Sequence, residues 1–223
     1  MIKTYIIVAL VSYLLGSIPF GYILVKLFLK QDIRSTGSGN IGATNVARSG
    51  AKGLAITTLL LDAFKGLVAV VIANHVAYSS WDVYVLGYEP VQRLMATAAF
   101  MAVAGHMFPI WLRFKGGKGV ATAVGAFAML APFSISLVFV IFIVAVGATR
   151  FVSLGSILAA MVFPILGHFL DRISGVPLAL ITMCSFLIIL KHYENIRRLL
   201  AGTENKFGGK KSVPPPDAVE KQA

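Results

Sequence analysis

Seven apolar stretches run through this sequence, and no water-soluble fold could bury all of them. They lie at 4–29, 53–76, 93–112, 119–131, 133–149, 152–169 and 177–190. Hydrophobic residues make up 57% of the chain and charged residues 13%, whereas soluble domains have about 45–50% and about 25%. Because a helix needs about 20 apolar residues to cross a bilayer, the sequence predicts an all-α, polytopic membrane helix bundle with seven transmembrane helices. The stretch at 119–131 is short for a straight span, so we expect it to tilt or to be half-buried in protein.

Lysine and arginine are distributed unevenly between the two sets of connecting segments. Of the 20 basic residues, 16 lie in one set together with the C-terminal segment, three lie in the opposite set and Lys65 lies within a span. Basic residues are enriched in cytoplasmic loops, so we expect the N-terminus outside and the C-terminus in the cytoplasm. Residues 1–202 are predicted to form one transmembrane domain and residues 203–223 a flexible basic cytoplasmic tail. The membrane accounts for the basic excess, and we expect no nucleic-acid partner.

The first of three unusual polar segments occupies residues 35–48, on the predicted cytoplasmic side. Glycines at 37, 39 and 42 permit tight turns with free N–H groups, and Ser38, Asn40 and Asn45 add hydrogen-bonding side chains. Arg48 closes the segment. Backbone N–H groups beside a guanidinium suit an oxyanion such as phosphate. A flexible glycine- and serine-rich linker is the alternative interpretation.

The second segment, residues 105–122, contains a glycine-rich turn directly before an apolar stretch. Gly116, Gly117, Lys118 and Gly119 lead into it. Such a turn at the start of a helix presents free N–H groups and the positive end of the helix dipole, and therefore binds phosphate. The alternative is a basic juxtamembrane turn. The G-x-x-x-x-G-K-[ST] spacing of ATP-binding loops is absent.

The third segment, residues 191–204, follows the last apolar stretch. If that helix continues into the cytoplasm, His192 and Asn195 lie three residues apart on one face. Considered alone, both side chains are more often structural than catalytic, but two other polar segments face the same compartment. Gly202 is a plausible end of the helix, and Glu204 ends the segment.

Three further polar residues lie within or beside the spans. Asp62 and Lys65 are three residues apart in the second stretch, and each would cost roughly 2.5–3.5 kcal/mol if left unpaired at the bilayer centre. We therefore expect a mutual ion pair facing the bundle interior, with a direct substrate role as the alternative. Ser153, at the start of the sixth stretch, is either a helix cap or a site residue.

Several catalytic patterns are missing from the sequence. It has no H-E-x-x-H motif, no H-x-x-x-x-D pair and no G-x-S-x-G turn, and Cys184 is its only cysteine. We therefore expect no bound metal. The sequence predicts a site with many phosphate-binding groups and few activated nucleophiles, which suits a substrate that arrives already activated.

Together the three segments resemble the bacterial acyl-phosphate:glycerol-3-phosphate acyltransferases, a family of integral membrane enzymes. The resemblance is carried by T-G-S-G-N-I-G-A-T-N-V-A-R at 36–48, G-H-M-F-P-I-W-L-R-F-K-G-G-K-G-V-A-T at 105–122 and K-H-Y-E-N-I-R-R-L-L at 191–200. Shorter stretches at 16–21 and 61–66 also look like those of the family.

This resemblance implies a seven-span enzyme of the bacterial cytoplasmic (inner) membrane whose active site faces the cytoplasm. It would move a fatty acyl group from acyl phosphate to glycerol 3-phosphate, giving lysophosphatidic acid and phosphate in phospholipid synthesis. No cofactor is expected, and other phospholipid-synthesis enzymes are among the expected partners. The alternative function is a membrane transporter of an organic phosphate or anion. Against it, the polar segments lie in cytoplasmic loops and not at the bilayer midplane.

The resemblance also implies roles for individual residues. The expected catalytic residues are Ser38, Arg48, Lys118, His192 and Asn195. The expected substrate-binding residues are Asn40, Asn45, Gly116, Gly117, Gly119 and Ser153, and the expected structural supports are Glu204, Asp62 and Lys65. The acceptor of the glycerol hydroxyl proton stays open between His192 and a substrate phosphate oxygen.

Overall fold

The computed structural model describes residues 1–80 and 87–208. Within these residues the regular secondary structure consists of helices, with no β-strand. The α-helices are α1 (Ile2–Ser17), α2 (Phe20–Leu29), α3 (Ala43–Arg48), α4 (Lys52–Ser80), α5 (Glu89–Met107), α6 (Val120–Phe127), α7 (Pro132–Thr149), α8 (Val152–Phe169), α9 (Gly175–Lys191) and α10 (Tyr193–Leu200). Short 3-10 helices form at Ile33–Ser35 and Ile110–Leu112. The all-helical prediction is confirmed for these residues.

Fewer helices than predicted are long enough to cross a membrane unaided. Among the described residues five are long and apolar enough, or six if α9 and α10, which meet at 55°, count as one span. The first span, Ile2–Leu29, includes the break between α1 and α2. The predicted stretch at 119–131 forms only the eight-residue helix α6. Its inner residues, among them Phe127, are buried against α4 and α5, so protein surrounds much of this helix.

Small residues allow the central helices to approach closely. A Cβ atom on Gly16 of α1 would lie 2.0 Å from the carbonyl oxygen of Ala102 in α5. A Cβ atom on Gly125 of α6 would lie 1.8 Å from the carbonyl oxygen of Ala63 in α4. Small residues are favoured between membrane helices because they permit such contacts. These contacts bring α1 directly against α5 and α6 directly against α4.

Contacts between helix ends give the direction of each helix. The Tyr5 hydroxyl near the start of α1 donates to the carbonyl oxygen of Pro90 near the start of α5 (3.3 Å). Asp171, just after α8, accepts from the backbone N–H of Ser134 near the start of α7 (2.9 Å). At the opposite end of the bundle, Lys191 at the end of α9 donates to the carbonyl oxygen of Met107 at the end of α5 (3.1 Å). The turn before α6 is bonded to this end of α5, and the start of α8 bonds to the segment that follows α10. The three polar segments meet at this second end.

Candidate active site

The first polar segment is folded around the buried side chain of Asn45. Its Nδ2 atom donates to the carbonyl oxygens of Ile33 (3.1 Å), Thr36 (3.0 Å) and Asn40 (2.8 Å). Its Oδ1 atom accepts from the backbone N–H of Ser38 (2.9 Å). The two Nδ2 hydrogens are thus shared among three carbonyl oxygens of the loop, and one lone pair of Oδ1 is used within it. In this structure Asn45 holds the loop together, and the substrate-binding role predicted for it from the sequence stays a prediction.

The other predicted residues of this segment lie nearer the surface. Ser38 is exposed, Asn40 accepts from the Gly42 N–H through Oδ1 (2.8 Å), and Arg48 is half-buried at the end of α3. A small apolar cluster holds the segment beside the second one, because Val46 packs together with Leu112. Among the described residues, no hydrogen bond joins Ser38 or Asn40 to the second or third segment.

The glycine-rich turn is fastened to the end of α5. The Gly117 N–H donates to the carbonyl oxygen of His106 (3.0 Å), and the Gly116 N–H donates to that of Met107 (3.2 Å). The last carbonyl groups of a helix lack partners within it, and these two N–H groups supply them. The N–H groups of Gly116 and Gly117 are therefore not free in this structure, and the substrate-binding role predicted for these two glycines stays a prediction.

The next two N–H groups along the turn are available instead. The backbone N–H groups of Lys118 and Gly119 have no hydrogen-bond partner in 1–80 and 87–208. Gly119 has φ +83°, a left-handed conformation that favours glycine. A Cβ atom at Gly119 would also lie 2.6 Å from Met107 Cε. The turn thus places two free N–H groups directly before α6. The sequence predicts free N–H groups at a glycine-rich turn that starts a helix, and Lys118 and Gly119 carry them.

A chain of side-chain contacts joins the second and third segments. Lys118 Nζ donates to the amide oxygen of Asn195, and Asn195 Nδ2 donates to Glu204 Oε1 (2.7 Å). The same carboxylate accepts from Ser153 Oγ (2.9 Å) and from Arg198 Nε (2.7 Å). The hydroxyl of Ser153 thus helps to position this carboxylate, and the substrate-binding role predicted for Ser153 stays a prediction.

Burial and the neighbouring charges together lower the pKa of Lys118. Burial lowers the pKa of Lys118 to about 8, with Glu204 opposing the shift and the positive charges of Arg198 and Arg48 adding to it. These two arginines thus lie close enough to act on Lys118. The site is a partly buried group of cations that contains one deeply buried carboxylate, and it is suited to binding a multiply charged anion.

His192 lies at the break between α9 and α10 and is buried. Its Nδ1 atom is 2.8 Å from the carbonyl oxygen of Ile188. Because a carbonyl oxygen only accepts, Nδ1 carries the proton, and Nε2 is left with its lone pair. Burial and then the charge of Lys118 lower the pKa of His192 to about 4. The ring is neutral at pH 7 and can accept a hydrogen bond through Nε2.

Hydrogen bonds at Glu204 and Phe207 hold residues 203–208 against the helical domain. The Phe207 N–H donates to the carbonyl oxygen of Arg150 (2.7 Å), and the Arg150 guanidinium donates to the carbonyl oxygen of Phe207 (3.0 and 3.1 Å). This contact fixes the segment that carries Glu204, which is only 7% exposed. The predicted tail at 203–223 is thus bound to the helices at Glu204 and Phe207, although Glu204 alone among residues 203–208 is buried, and residues 209–223 lie outside the described part of the chain.

Other sequence predictions have mixed outcomes. The ion pair of Asp62 with Lys65 is confirmed (2.8 Å), and α10 ends before Gly202, which has φ +69°. Sequence reasoning gave no site role to Arg198 or His106. Both lie inside the quoted motifs, but their partners, Glu204 and the glycine-rich turn, become apparent only in the folded chain.

Comparison with known proteins identifies relatives along almost the whole chain. A family model described as glycerol-3-phosphate acyltransferase matches residues 6–202. A glycerol-3-phosphate acyltransferase of Agrobacterium fabrum is 46% identical, over 91% of this chain and 91% of the relative. That of Rhodopseudomonas palustris (strain HaA2) is also 46% identical, over 95% and 100%.

Two crystal structures share the fold. Both are of PlsY (YgiH), described as an integral membrane glycerol 3-phosphate acyltransferase. The glycerol 3-phosphate form has a TM-score of 0.80 and 35% identity, covering 92% of this chain and 96% of that chain. The lysophosphatidic acid form has a TM-score of 0.77 and 34% identity, covering 92% and 95%.

Proposed function

The chain belongs to the glycerol-3-phosphate acyltransferase family, and we propose that it takes its acyl group from acyl phosphate. It is a multi-pass membrane enzyme of lipid biosynthesis that acylates glycerol 3-phosphate. This assignment decides against the alternative of an organic-phosphate transporter. With acyl phosphate as donor, the products are lysophosphatidic acid and inorganic phosphate.

One observation carries the choice of donor. In 1–80 and 87–208 no histidine is hydrogen-bonded to the hydroxyl or thiol of a serine, threonine or cysteine, so none of these side chains is prepared to take up the acyl group. Transfer is therefore direct, and the donor carries its own leaving group. Phosphate leaves as an anion beside the carbonyl carbon, where Lys118, Arg48 and Arg198 supply positive charge. In a thioester donor the leaving group next to the carbonyl is a thiol, which has less need of these cations.

The proposed reaction joins the two phosphorylated substrates side by side. Lys118 Nζ and the free N–H groups of Lys118 and Gly119 hold the phosphate of glycerol 3-phosphate, while Arg48 and Ser38 hold the acyl phosphate. The glycerol hydroxyl oxygen attacks the carbonyl carbon, and the bond from that carbon to the phosphate oxygen breaks. Holding the reacting atoms about 3–3.5 Å apart accounts for much of the rate, and the cations stabilise the developing charge.

The hydroxyl proton goes to the departing phosphate in this proposal. The second ionisation of a phosphate group has a pKa of about 6, which lies above the pKa of His192, lowered to about 4, and the departing phosphate becomes more basic as its bond to the carbonyl carbon breaks. Phosphate is therefore the stronger base of the two alternatives left open by the sequence. His192 accepts a hydrogen bond through Nε2 from the other hydroxyl of glycerol 3-phosphate, the one that does not attack, and so orients the substrate.

An open apolar groove of about 350 Å³ beside the first two segments suits the acyl chain. It is lined by Ile18, Pro19, Tyr22, Ile23, Trp111 and Leu112. Leu112 also packs with Val46 near the end of α3, so the groove lies beside the segment that carries Arg48. An acyl chain in this groove could remain in contact with the bilayer while its head lies in the polar site.

We place the active site at the cytoplasmic face of the bacterial inner membrane, with the N-terminus outside. The site lies at the end of the bundle that carries most of the basic residues, as expected for a cytoplasmic face. The first span, followed by α4, α5, α6, α7, α8 and α9, would give seven passages and put the two termini on opposite sides. The short α6 can complete a passage because the glycine-rich turn before it is partly buried within the bundle.

The donor is tested with protein purified in detergent and radiolabelled glycerol 3-phosphate. We expect lysophosphatidic acid to form with palmitoyl phosphate, with one phosphate released for each molecule made, and no product with palmitoyl-CoA. Equal rates with palmitoyl-CoA would overturn the proposed donor while leaving the family assignment intact. A Lys115→Met variant, altered at an exposed position outside the site, serves as a preparation control.

Alkaline pH is expected to weaken binding of glycerol 3-phosphate. With the pKa of Lys118 lowered to about 8, the charged fraction falls from about nine tenths at pH 7 to about one tenth at pH 9. The KM for glycerol 3-phosphate should therefore rise about five- to tenfold over this interval. In Lys118→Arg the guanidinium stays charged, and its KM should not rise. A constant wild-type KM, or an equal rise in the variant, would contradict the assignment of this ionisation to Lys118.

A further inference from the structure

A buried group of charged side chains lies directly beneath the glycine-rich turn. Asp62 in α4 pairs with Lys65 (2.8 Å), and Lys65 Nζ also donates to the carbonyl oxygen of Ile18 (2.7 Å). The Nδ1 atom of His106 in α5 lies 3.4 Å from Asp62 Oδ1. All three side chains are at most 5% exposed. The mechanism described above uses none of them.

His106 contacts the turn through both its backbone and its ring. The Gly117 N–H donates to the carbonyl oxygen of His106 (3.0 Å). A Cβ atom on Gly117 would lie 2.0 Å from His106 Nε2 and 2.8 Å from Cε1. The edge of the imidazole is therefore the surface on which Gly117 rests, and Lys118 is the next residue.

The ring has little freedom to move away. Asp62 lies on its Nδ1 side, and its ion pair with Lys65 holds that carboxylate in place. A buried ring enclosed in this way transmits its position to Gly117, because close-packed interiors deform little. The height of Gly117 above the ring then determines where the Lys118 side chain and the free N–H groups of Lys118 and Gly119 lie.

We propose that His106, confined beside Asp62, is a positioning residue that sets the glycine-rich turn for binding the phosphate of glycerol 3-phosphate. This inference rests on the role proposed for Lys118. It explains why residue 117 is a glycine although its φ is not in the left-handed region. It also gives the buried charges a function besides joining α1, α4 and α5.

The test is a size exchange between residues 117 and 106. Gly117→Ala should lower kcat/KM for glycerol 3-phosphate about 50-fold, chiefly by raising KM for this substrate while KM for the acyl donor changes little. His106→Ala alone should lower kcat/KM about fivefold. In the double variant the new methyl group fits the space left by the ring, so at least a tenfold recovery over Gly117→Ala is expected. Gly147→Ala, at a glycine with open space around it, should retain wild-type activity.

Folding is followed separately by the Tm of each purified variant. If the double variant is as impaired as Gly117→Ala or worse, or if Gly117→Ala lowers kcat and Tm with an unchanged KM for glycerol 3-phosphate, the positioning role is wrong. Recovery in the double variant combined with normal KM in Lys118→Met would retain the contact between His106 and Gly117. The same pair of results would reject the phosphate-binding role of Lys118.

Discussion

Replacing Lys118 with methionine is expected to lower kcat/KM for glycerol 3-phosphate by about a thousandfold. Methionine retains the unbranched apolar stem of lysine and removes only the positive charge and its donors. Lys118 is half-buried, and removing a preorganised donor to a developing anion typically lowers rates by about 10²–10³-fold. Loss of the ground-state contact with phosphate adds to this effect. Steady-state rates measured with palmitoyl phosphate as donor give the value.

Lys115→Met is the matched control for this substitution. Lys115 lies three residues earlier in the same segment and is exposed, so the same change there should alter kcat/KM less than twofold. The Lys118→Met protein should also remain folded, because Glu204 keeps its bonds from Arg198, Asn195 and Ser153. A Lys118→Met enzyme within fivefold of wild type would show that Lys118 does not bind substrate phosphate.

The fold was predictable wherever helices face lipid. The stretch predicted at 152–169 forms α8 (Val152–Phe169), and that predicted at 177–190 forms α9 (Gly175–Lys191). Lipid-facing helices need sustained apolar runs, which hydropathy detects. The stretch at 119–131 differs because α6 is enclosed by protein. This helix ends at Phe127, four residues before the apolar stretch does. Hydropathy shows where the chain is apolar, but it does not show how the helix packs against α4 and α5.

The site was predictable as a set of segments but not as a set of contacts. Charge distribution and motifs indicated that three segments meet at one face, and Lys118 does bond to Asn195, 77 positions away. The donors that Gly116 and Gly117 supply to the end of α5 were not predictable. Whether a turn N–H is free depends on which carbonyl groups the fold brings to it. Asn45 likewise resembles a binding residue until its loop closes around it.

Glu204→Gln is expected to lower kcat/KM by about 300-fold, although we assign this carboxylate no contact with substrate. Its two oxygens accept from Asn195, Ser153 and Arg198, and an amide group would turn an NH₂ group toward one of these donors. A buried partner left without its acceptor costs about 1–3 kcal/mol, and more when it is charged. Asn195 would then lose the orientation in which it accepts from Lys118.

The change in charge gives this variant a signature that misfolding would not produce. The negative charge of Glu204 raises the pKa of Lys118 against the effect of burial. Without that charge the pKa of Lys118 falls further, so the rise in KM for glycerol 3-phosphate should begin at a lower pH than in the wild type.

Glu194→Gln is the matched control, because Glu194 lies 3.7 Å from the same Arg198 but its side chain is 79% exposed. Ion pairs that are screened by solvent contribute little free energy, so kcat/KM of Glu194→Gln should stay within twofold of the wild-type value. If the two variants behaved alike, Glu204 would not be the residue that holds Asn195 and Lys118 in place.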